Sequence, residues 1–526
     1  MDPKKKVLLA LDVGTQSVRA LAFSTKGELI DYSRTEYHPA YISDQPGWAE
    51  QAPEFYWQAL SHSCRDLWDK GNVPPESVIS LALTTQRATV VNLDKEGKPL
   101  RPAILWLDQR KAEIVPKLSL LWRSIFSLSG LKNIIDYFQA EAEINWIKEN
   151  QPDVWDKTEH YLLLTGYIHY KLTNLFKDSV ACQVGYVPFN FKKQCWEKKG
   201  NWKWEALHVK PGTLPELVSP GDQLGIVSDT ASTLTGIPVG TPVIAAASDK
   251  ACEVIGAGCL EKHQACIGYG TTATININSD KYFEPVTLVP AYPSAKPKSF
   301  NTEVQIYRGF WMVTWFKDQF AQKEQGLAKK KNIPAELILE QAAVKVPPGS
   351  LGLTLQPYWT PGIRFPGLEA KGSIIGFGAD HKKEHMFRAI LEGLAFGLRE
   401  GREKIENKSK TPIKQLFVCG GGAKSDLVMQ ITADVFGIPA MRPSVTETSG
   451  LGAAILASVG SGIYPDVDTA VKNMTRTSDI FEPNPETVII YNALYSNVYR
   501  KIYPKLKPLF QSIQRITGYP KILSNK

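Results

Sequence analysis

One acidic residue, Asp12, lies where it could bind a metal ion that is also bound to phosphate. Asp12 ends the apolar run Leu8–Leu11 and precedes a tight polar turn formed by Gly14, Thr15 and Gln16. Carboxylates suit Mg²⁺, and the amides of a glycine turn suit phosphate oxygens. The spacing is not that of a Walker-type loop, so a nucleotide would be held in another way. The pattern predicts a Mg²⁺-phosphate site, and a simple turn-capping role for Asp12 is the alternative.

A second acidic residue, Asp249, is placed to act on a substrate hydroxyl. It follows the apolar stretch 243–247 and is surrounded by small residues, which leave room for a ligand. A carboxylate there could accept the proton of a hydroxyl group that attacks a phosphoryl group. Asp249 is therefore a candidate general base. The alternative is a helix N-cap, since a helix is predicted from about Ala251.

Two polar segments indicate a pocket for a polyhydroxylated ligand. Gln86 and Arg87 form one segment, and Trp106 and Asp108 lie in the other. Amide, guanidinium and carboxylate groups can divide hydroxyls between donors and acceptors, and an indole ring can cover a carbon face. The alternative is a set of salt bridges on a surface loop.

The turn that follows Asp12 has a counterpart in the second half of the chain. Gly270, Thr271 and Thr272 follow an apolar strand, and Gly270 lies 256 residues after Gly14. Two such hairpins facing each other would present amides and hydroxyls to one anion. Two ordinary hairpins with glycine turns are the alternative.

A glycine triplet completes the candidate nucleotide site. Gly421, Gly422 and Ser425 lie between a predicted strand over 414–419 and a predicted helix over 426–436. Glycines permit close approach of a ligand to the backbone, and a helix start favours an anion. An ordinary strand-to-helix turn would have the same composition.

These residues must be positioned by alternating strands and helices, which indicates an α/β fold. With 526 residues the chain is expected to form two domains. No apolar run approaches the ~18 residues of a membrane span. Seven cysteines without a CxxC pair favour a reducing cytoplasm. The net charge of +8, spread over this length, gives no argument for a nucleic-acid partner.

The order of these motifs resembles that of the FGGY carbohydrate kinase family. The resemblance runs from about Val7 to Ser458 and rests on these segments: Asp12-Val13-Gly14-Thr15, Thr85-Gln86-Arg87, Trp106 to Arg110, Ser248-Asp249-Lys250, Gly268 to Thr272, Gly420 to Ser425, and Glu447 to Ala454. It implies two ribonuclease-H-like domains of the actin and hexokinase type around a central cleft. The implied domains are residues 1–248 and 249–470, followed by a helical tail, 471–526.

The resemblance also implies roles for particular residues. Asp249 matches the catalytic base of the family, which also contacts the substrate, and Asp12 matches the residue near Mg²⁺. The remaining implied residues fall into a sugar pocket (Gln86, Arg87, Trp106, Asp108 and Tyr137) and an ATP site (Gly14, Thr15, Gln16, Gly270, Thr271, Thr272, Gly421, Gly422 and Ser425). The implied partners are ATP and a small sugar or polyol, without nucleic acid or membrane, and with a homodimer left open.

Two departures from the family pattern bear on the substrate. Glycerol kinase usually has Glu after the arginine and Gln after the catalytic Asp, where this chain has Ala88 and Lys250. Loss of a carboxylate acceptor would leave glycerol short of a hydrogen bond, and Ala88 makes room for a longer substrate. A pentulose, hexulose or longer polyol is therefore favoured, as in a xylulokinase-like enzyme. Glycerol kinase is one alternative, and a non-catalytic actin-like nucleotide-binding regulatory protein is another.

Overall fold

The structure, a computed structural model, describes residues 6–360 and 366–519. Fourteen strands lie in the first half of the described chain: β1 (Val7–Val13), β2 (Ser17–Ser24), β3 (Leu29–Glu36), β4 (Glu50–Gln51), β5 (Val78–Thr85), β6 (Val90–Leu93), β7 (Ala103–Ile104), β8 (His160–Leu163), β9 (Lys177–Ser179), β10 (Phe189–Asn190), β11 (Cys195–Trp196), β12 (Glu216–Val218), β13 (Gln223–Ile226) and β14 (Pro242–Ile244).

The strands of the second half are fewer and begin at the second glycine hairpin. They are β15 (Gln264–Tyr269), β16 (Ala273–Ser279), β17 (Tyr292–Pro293), β18 (Phe300–Ile306), β19 (Thr354–Gln356), β20 (Ser373–Ile375), β21 (Gln415–Cys419), β22 (Ala440–Pro443) and β23 (Thr477–Phe481).

Helices cover the sheets and connect their parallel strands. Those of the first half are α1 (Pro53–Asp69), α2 (Leu120–Leu128), α3 (Lys132–Glu141), α4 (Glu143–Asn150), α5 (Pro152–Lys157), α6 (Leu164–Thr173), α7 (Trp202–Ala206), α8 (Asp229–Thr235) and α9 (Asp249–Gly256). Those of the second half are α10 (Trp311–Phe320), α11 (Gln322–Lys331), α12 (Ala335–Ala343), α13 (Lys383–Ser409), α14 (Asp426–Phe436), α15 (Thr448–Gly460), α16 (Val467–Met474), α17 (Pro485–Leu494) and α18 (Arg500–Thr517). Short helical turns over Pro75–Ser77, Val180–Cys182, Ser350–Gly352 and Gly421–Lys424, and a π-helical turn over Tyr495–Tyr499, complete the set.

The two large sheets repeat one order of strands. The first is β13-β14-β5-β1-β2-β3 and the second is β17-β18-β16-β15-β21-β22-β23. In each sheet an antiparallel hairpin, β1-β2 or β15-β16, is followed on the other side by parallel strands. The predicted α/β class, with two versions of one fold, is confirmed by this repeat.

The central strand β1 explains why Asp12 stands out chemically. All seven residues of β1 are buried, because neighbouring strands lie on both edges and packed layers cover both faces. Apolar side chains pack on both faces of the strand, and Asp12 is its single ionisable residue. A carboxylate so placed needs specific partners.

Helices α9 and α15 pack against each other with their backbones in close approach. A Cβ atom placed on Gly256 would lie 1.9 Å from the carbonyl oxygen of Thr448, and one on Gly452 would lie 2.0 Å from that of Cys252. No side chain fits between the helices at these points unless they move apart, so glycine permits this close approach. This contact fixes the position of α9, whose first residue is Asp249.

Helix α15 comes late in the chain but covers the first sheet. Its small residues pack into one buried cluster with Leu8, Leu21 and Ile244 of that sheet. The Ser80 hydroxyl of β5 donates a hydrogen bond to the Ala457 carbonyl of α15, at 3.0 Å. The first sheet is thus completed by a helix from the far end of the sequence.

The last segment of the chain contributes to the second sheet as well as to helices. Strand β23 pairs antiparallel with β22, and helices α17 and α18 follow. Residues 520–526 of the expected helical tail lie outside the described residues. Within the described ranges, no helix is both long and apolar enough to span a membrane.

Candidate active site

The first glycine hairpin is joined to the predicted sugar pocket by hydrogen bonds. The Thr15 hydroxyl donates to Gln86 Oε1 at 2.7 Å and accepts from Trp106 Nε1 at 2.9 Å. Gln86 is buried, and its Nε2 donates to the Tyr56 hydroxyl at 3.3 Å. The Gly14 amide closes the turn on the Ser17 carbonyl, and Gln16 is exposed. The segments that hold Thr15, Gln86 and Trp106 therefore meet at one place.

Asp12 is held at the end of β1 by one cation shared with a second carboxylate. Arg19 Nη1 lies 3.1 Å from Asp12 Oδ2 and 3.1 Å from Glu447 Oε2. Burial raises the pKa of Asp12 to about 6, Arg19 opposes this rise, and the nearby carboxylates of Asp249 and Glu447 add to it. Asp12 therefore lies in a region with an excess of negative charge, which favours an additional cation.

Asp249 is the first residue of α9, and Ser248 occupies the N-cap position. Asp249 Oδ1 accepts the amide of Lys250 at 2.8 Å. The side chain is 31% exposed, and Arg87 Nε lies 3.8 Å from Oδ1. The carboxylate is thus fixed at a helix start, beside a guanidinium, and open to solvent, as a proton acceptor requires.

Arg87 leaves the end of β5 and reaches the second domain. Its Nη1 and Nη2 donate to Glu303 Oε2 and Oε1 at 3.1 and 3.0 Å, and Glu303 lies on β18. Burial alone would lower the pKa of Arg87, but Glu303 and Asp249 raise it above its ordinary value. The ring centre of Tyr292 lies 5.5 Å from the guanidinium. A bidentate ion pair therefore spans the two domains beside Asp249.

Asp108 lies nearby but is already engaged. Arg110 donates to both of its carboxylate oxygens, at 2.8 and 2.7 Å, and the Ala49 amide donates to Oδ2 at 2.6 Å. The guanidinium of Arg110 lies 4.0 Å from the ring centre of Trp48 and 4.5 Å from that of Trp146. The Asp108 side chain is only 3% exposed, so in this conformation it supports the loop that carries Trp106.

Tyr137 lies on α3 and faces the second domain. Its ring centre is 4.9 Å from Lys111 Nζ. Burial, followed by the Glu141 carboxylate and the Tyr307 hydroxyl, raises the pKa of Tyr137. Tyr307 directly follows β18, so Tyr137 approaches the same strand that carries Glu303.

The second hairpin and the glycine triplet lie against each other. A Cβ atom placed on Gly420 would lie 2.7 Å from the Tyr269 carbonyl oxygen, and one on Gly422 would lie 2.7 Å from the side chains of Tyr269 and Phe310. Around Gly421 no described residue lies within 4 Å of such an atom, so on this side the position is open to a ligand.

The polar residues of these two segments have different surroundings. The Gly270 amide closes its turn on the Thr272 carbonyl at 3.0 Å, and Thr271 is exposed. Ser425 caps α14 by accepting the Val428 amide at 3.2 Å. These groups come together on the second domain.

Two site residues, Glu303 and Tyr292, lie outside the sequence motifs, and a third, Glu447, has a partner that its motif did not indicate. Glu303 and Tyr292 contact Arg87, and Glu447 shares Arg19 with Asp12. The alternation of polar and apolar residues in β18 gives no indication that Glu303 pairs with an arginine 216 positions away. Glu447 belonged to a recognised segment, but its partner was not predictable.

A twofold sheet of this order, with carboxylates and glycine turns between its copies, is the architecture of the actin and hexokinase class of phosphotransferases and ATPases. Within that class, models of the FGGY family of carbohydrate kinases match this chain: the N-terminal domain over residues 7–256 and the C-terminal domain over 265–461. The chain belongs to the FGGY family of carbohydrate kinases. The expectation of an ATP-dependent carbohydrate kinase is thereby confirmed.

Relatives in the family act on different substrates. The xylulose kinase of Lactococcus lactis is 27% identical over 493 residues, covering 93% of this chain and 95% of the relative. The glycerol kinase of Alkaliphilus oremlandii is 28% identical over 495 residues, covering 91% and 93%. The crystal structure of a ligand-bound xylulose kinase from Lactobacillus acidophilus superposes with a TM-score of 0.78 at 20% identity, covering 98% of this chain and 99% of that one.

Proposed function

We propose that this protein transfers the γ-phosphoryl group of ATP to a hydroxyl group of a pentulose, a hexulose or a longer polyol. The observation that carries this proposal is the position of Asp249, exposed at the start of α9 beside the Arg87–Glu303 pair. As the substrate oxygen forms its bond to the γ-phosphorus, the bond from that phosphorus to the β-γ bridging oxygen breaks and ADP leaves. The hydroxyl proton passes to the Asp249 carboxylate.

The substrate-side residues are assigned from their contacts. Gln86, Arg87 and Trp106 line the sugar pocket in this proposal, together with Tyr137. Asp108 contributes through the loop it braces, unless closure of the domains releases it from Arg110. Exclusion of water by closure would prevent hydrolysis of ATP.

The nucleotide-side residues come from both hairpins and the glycine triplet. Gly14, Thr15 and Gln16 would face the phosphates from one side, and Gly270, Thr271 and Thr272 from the other. Gly421 would let the adenosine approach the backbone, since no described residue crowds it, and Gly422 and Ser425 shape the turn around it. The domains follow the same division, 1–248 and 249–470, with 471–526 as an extension.

Mg²⁺ would be held jointly by ATP and Asp12. Among the residues that the structure describes, no group of three or more His, Cys, Asp or Glu could hold a metal ion. Asp12 and Glu447 share a single cation, Arg19, so a cation that arrives with the phosphates would offset the remaining negative charge. When bound, Mg²⁺ neutralises charge on the phosphate oxygens.

The preference for a longer substrate is argued from residue 88. Ala88 stands where glycerol kinase usually has a carboxylate, so glycerol would lack an acceptor at that point. The relatives named above include both xylulose and glycerol kinases, and the substitution at 88 supports the longer substrate. We also propose a cytoplasmic location, since the seven cysteines are free thiols, and leave a homodimer as the assembly to test.

The test is a substrate screen combined with one matched pair of variants. Purified protein with ATP and Mg²⁺ is offered ketoses, polyols including glycerol, and aldonates, and ADP release is followed. Asp249→Asn should lower kcat about 10²- to 10⁴-fold on the best substrate. Asp229→Asn is the control, since Asp229 also follows a serine N-cap at the start of a helix.

Three results would contradict parts of the proposal. Near-normal turnover by Asp249→Asn would remove Asp249 as the base. Preference for glycerol would favour glycerol kinase. Nucleotide binding without turnover of any substrate would favour a regulatory protein.

A further inference from the structure

The Arg87–Glu303 pair has features that an ordinary structural ion pair does not need. It joins residues from the two domains, with two parallel hydrogen bonds of 3.0 and 3.1 Å. Arg87 is 16% exposed and Glu303 is 5% exposed at the side chain, so the pair is shielded but reachable from the cleft. Its geometry is fixed, since the guanidinium and carboxylate forks match each other.

The Arg87–Glu303 pair keeps unused hydrogen-bond donors and acceptors on the side that faces Asp249. A guanidinium has five N–H donors and a carboxylate has about four acceptor sites, and the ion pair uses two of each. Arg87 Nε, which is not among the two nitrogens bonded to Glu303, lies 3.8 Å from Asp249 Oδ1. A hydroxyl group both donates and accepts, so adjacent donor and acceptor groups suit two neighbouring hydroxyls.

The charges around the pair favour a neutral ligand over an acidic one. Three neighbouring groups of ion pairs contain five carboxylates (Asp12, Asp249, Glu253, Glu303 and Glu447) and three cations (Arg19, Arg87 and Lys250). Lys250 is bonded to both oxygens of Glu253, at 3.1 and 3.2 Å, and so does not offer a free charge to an acid. A sugar acid bound here would face an excess of negative charge.

We propose that Arg87 and Glu303 together bind two adjacent hydroxyl groups of a neutral polyhydroxylated substrate and thereby determine which substrate is accepted. The proposal rests on the function given above and deepens it. Glu303 contributes its carboxylate from strand β18 of the second domain. Substrate recognition is then complete only when both domains contact the sugar.

The test compares two Glu→Gln variants that each break a buried Arg–Glu pair. In Glu303→Gln the shape is kept but the charge and one acceptor oxygen are lost. Glu392→Gln is the matched control, because Glu392 pairs with Arg388 at 2.8 Å in the same domain. The side chain of Arg388 is 7% exposed and that of Glu392 is 3% exposed. Both variants remove the charge of a buried Arg–Glu pair, but only residue 303 faces the cleft. Glu392 also accepts hydrogen bonds from Gly349, Ser350 and Tyr491, so its substitution is the more severe test of folding.

The readout is the KM for the best neutral substrate, for its single-deoxy analogues and for the aldonate of equal length. Glu303→Gln should raise the sugar KM about 10- to 100-fold, the loss expected for a hydrogen bond to a charged group. The KM for ATP should change less than about twofold. Wild type should disfavour one deoxy analogue by a similar factor, and Glu303→Gln should lose that discrimination and accept the aldonate more readily. Glu392→Gln should leave both KM values unchanged.

Binding without turnover separates this inference from the proposed function. Calorimetric titration of the sugar, with a non-hydrolysable ATP analogue present, measures affinity when no phosphate is transferred. If the sugar binds wild type without phosphoryl transfer, the proposed function fails, and a weaker affinity in Glu303→Gln still supports the inference. If transfer occurs and Glu303→Gln keeps the wild-type sugar KM, or loses affinity equally for every analogue, the inference is overturned while the function stands.

Discussion

The glycine contact between α9 and α15 predicts that the variant Gly452→Ala loses much of its activity but only part of its stability. The new Cβ atom would lie 2.0 Å from the Cys252 carbonyl oxygen and 2.7 Å from its Cα atom. Ordinary contacts begin near 3.4 Å, so α9 must shift by roughly 1.4 Å relative to α15. The obstructing atoms are backbone, which cannot rotate away as a side chain could.

The cost in stability follows from two opposing effects. Overpacking of a close contact costs about 1–3 kcal/mol. Alanine is favoured over glycine inside a helix by about 1 kcal/mol, which offsets part of the loss. Subtracting the gain in helix propensity from the upper end of the overpacking cost gives a net destabilisation of about 2 kcal/mol. The protein should therefore stay folded at 25 °C.

The cost in activity should be larger, because α9 carries Asp249 at its first position. A displacement of about 1 Å at a catalytic group costs on the order of 10²-fold in rate. Steady-state ADP release should therefore show a kcat about 100-fold below wild type, in a protein that is largely folded by circular dichroism.

The control is the same substitution in a helix without a close neighbour. Within the part of the chain that the structure describes, nothing lies within 4 Å of a Cβ atom placed on Gly326, inside α11. Gly326→Ala should raise stability by up to about 1 kcal/mol and leave kcat unchanged. Wild-type kcat in Gly452→Ala would refute the reasoning, as would an equal gain of stability in both variants.

Two further substitutions test the surroundings of the pocket. Burial raises the pKa of Glu143 to about 8, and its Oε2 is buried without a hydrogen-bond partner among the described residues. The unfolded chain releases this proton near pH 4.5, whereas the folded protein retains it until about pH 8. As the pH rises between these two values, the free energy of unfolding should therefore fall by up to about 1.4 kcal/mol per pH unit. Glu143→Gln should remove this contribution; urea titrations with an identical pH slope in both proteins would contradict the assignment. Ala88 has a φ of +49°, in the left-handed region, so Ala88→Gly should raise the urea midpoint, with a net gain of about 1 kcal/mol after the greater freedom of glycine in the unfolded chain. A lowered midpoint would show that the Ala88 side chain contributes more than its strain costs.

Much of the local structure was predictable because one physical signal dominated each element. The predicted helix over 426–436 coincides with α14, since a serine cap, an apolar face and a following glycine agree. The strand predicted over 414–419 is β21, Gln415–Cys419, and the repeated hairpins are β1-β2 and β15-β16. In these segments periodicity and turn residues point to the same result.

Contacts between distant parts of the chain were not predictable in this way. Glu303 occupies a polar position of a strand whose pattern is satisfied by its sheet alone. Its pairing with Arg87 depends on how the two domains meet, which no local pattern encodes. The alternative for the Asp108 segment was a set of salt bridges on a surface loop, whereas the Asp108–Arg110 salt bridge is buried. Its burial depends on Trp48 and Trp146, from two separate segments. The roles of these side chains in binding stay predictions.

The late position of α15 in the chain has a consequence for synthesis on the ribosome. Strand β14 ends at Ile244, whereas α15, which covers that face of the first sheet, begins at Thr448. At ~5–20 residues per second, roughly 200 intervening residues take about 10–40 s to emerge. Throughout that interval the face formed by Leu8, Leu21 and Ile244 lacks the helix that covers it in the finished protein. A nascent chain of this kinase is therefore exposed to misassembly for longer than the length of its first domain suggests.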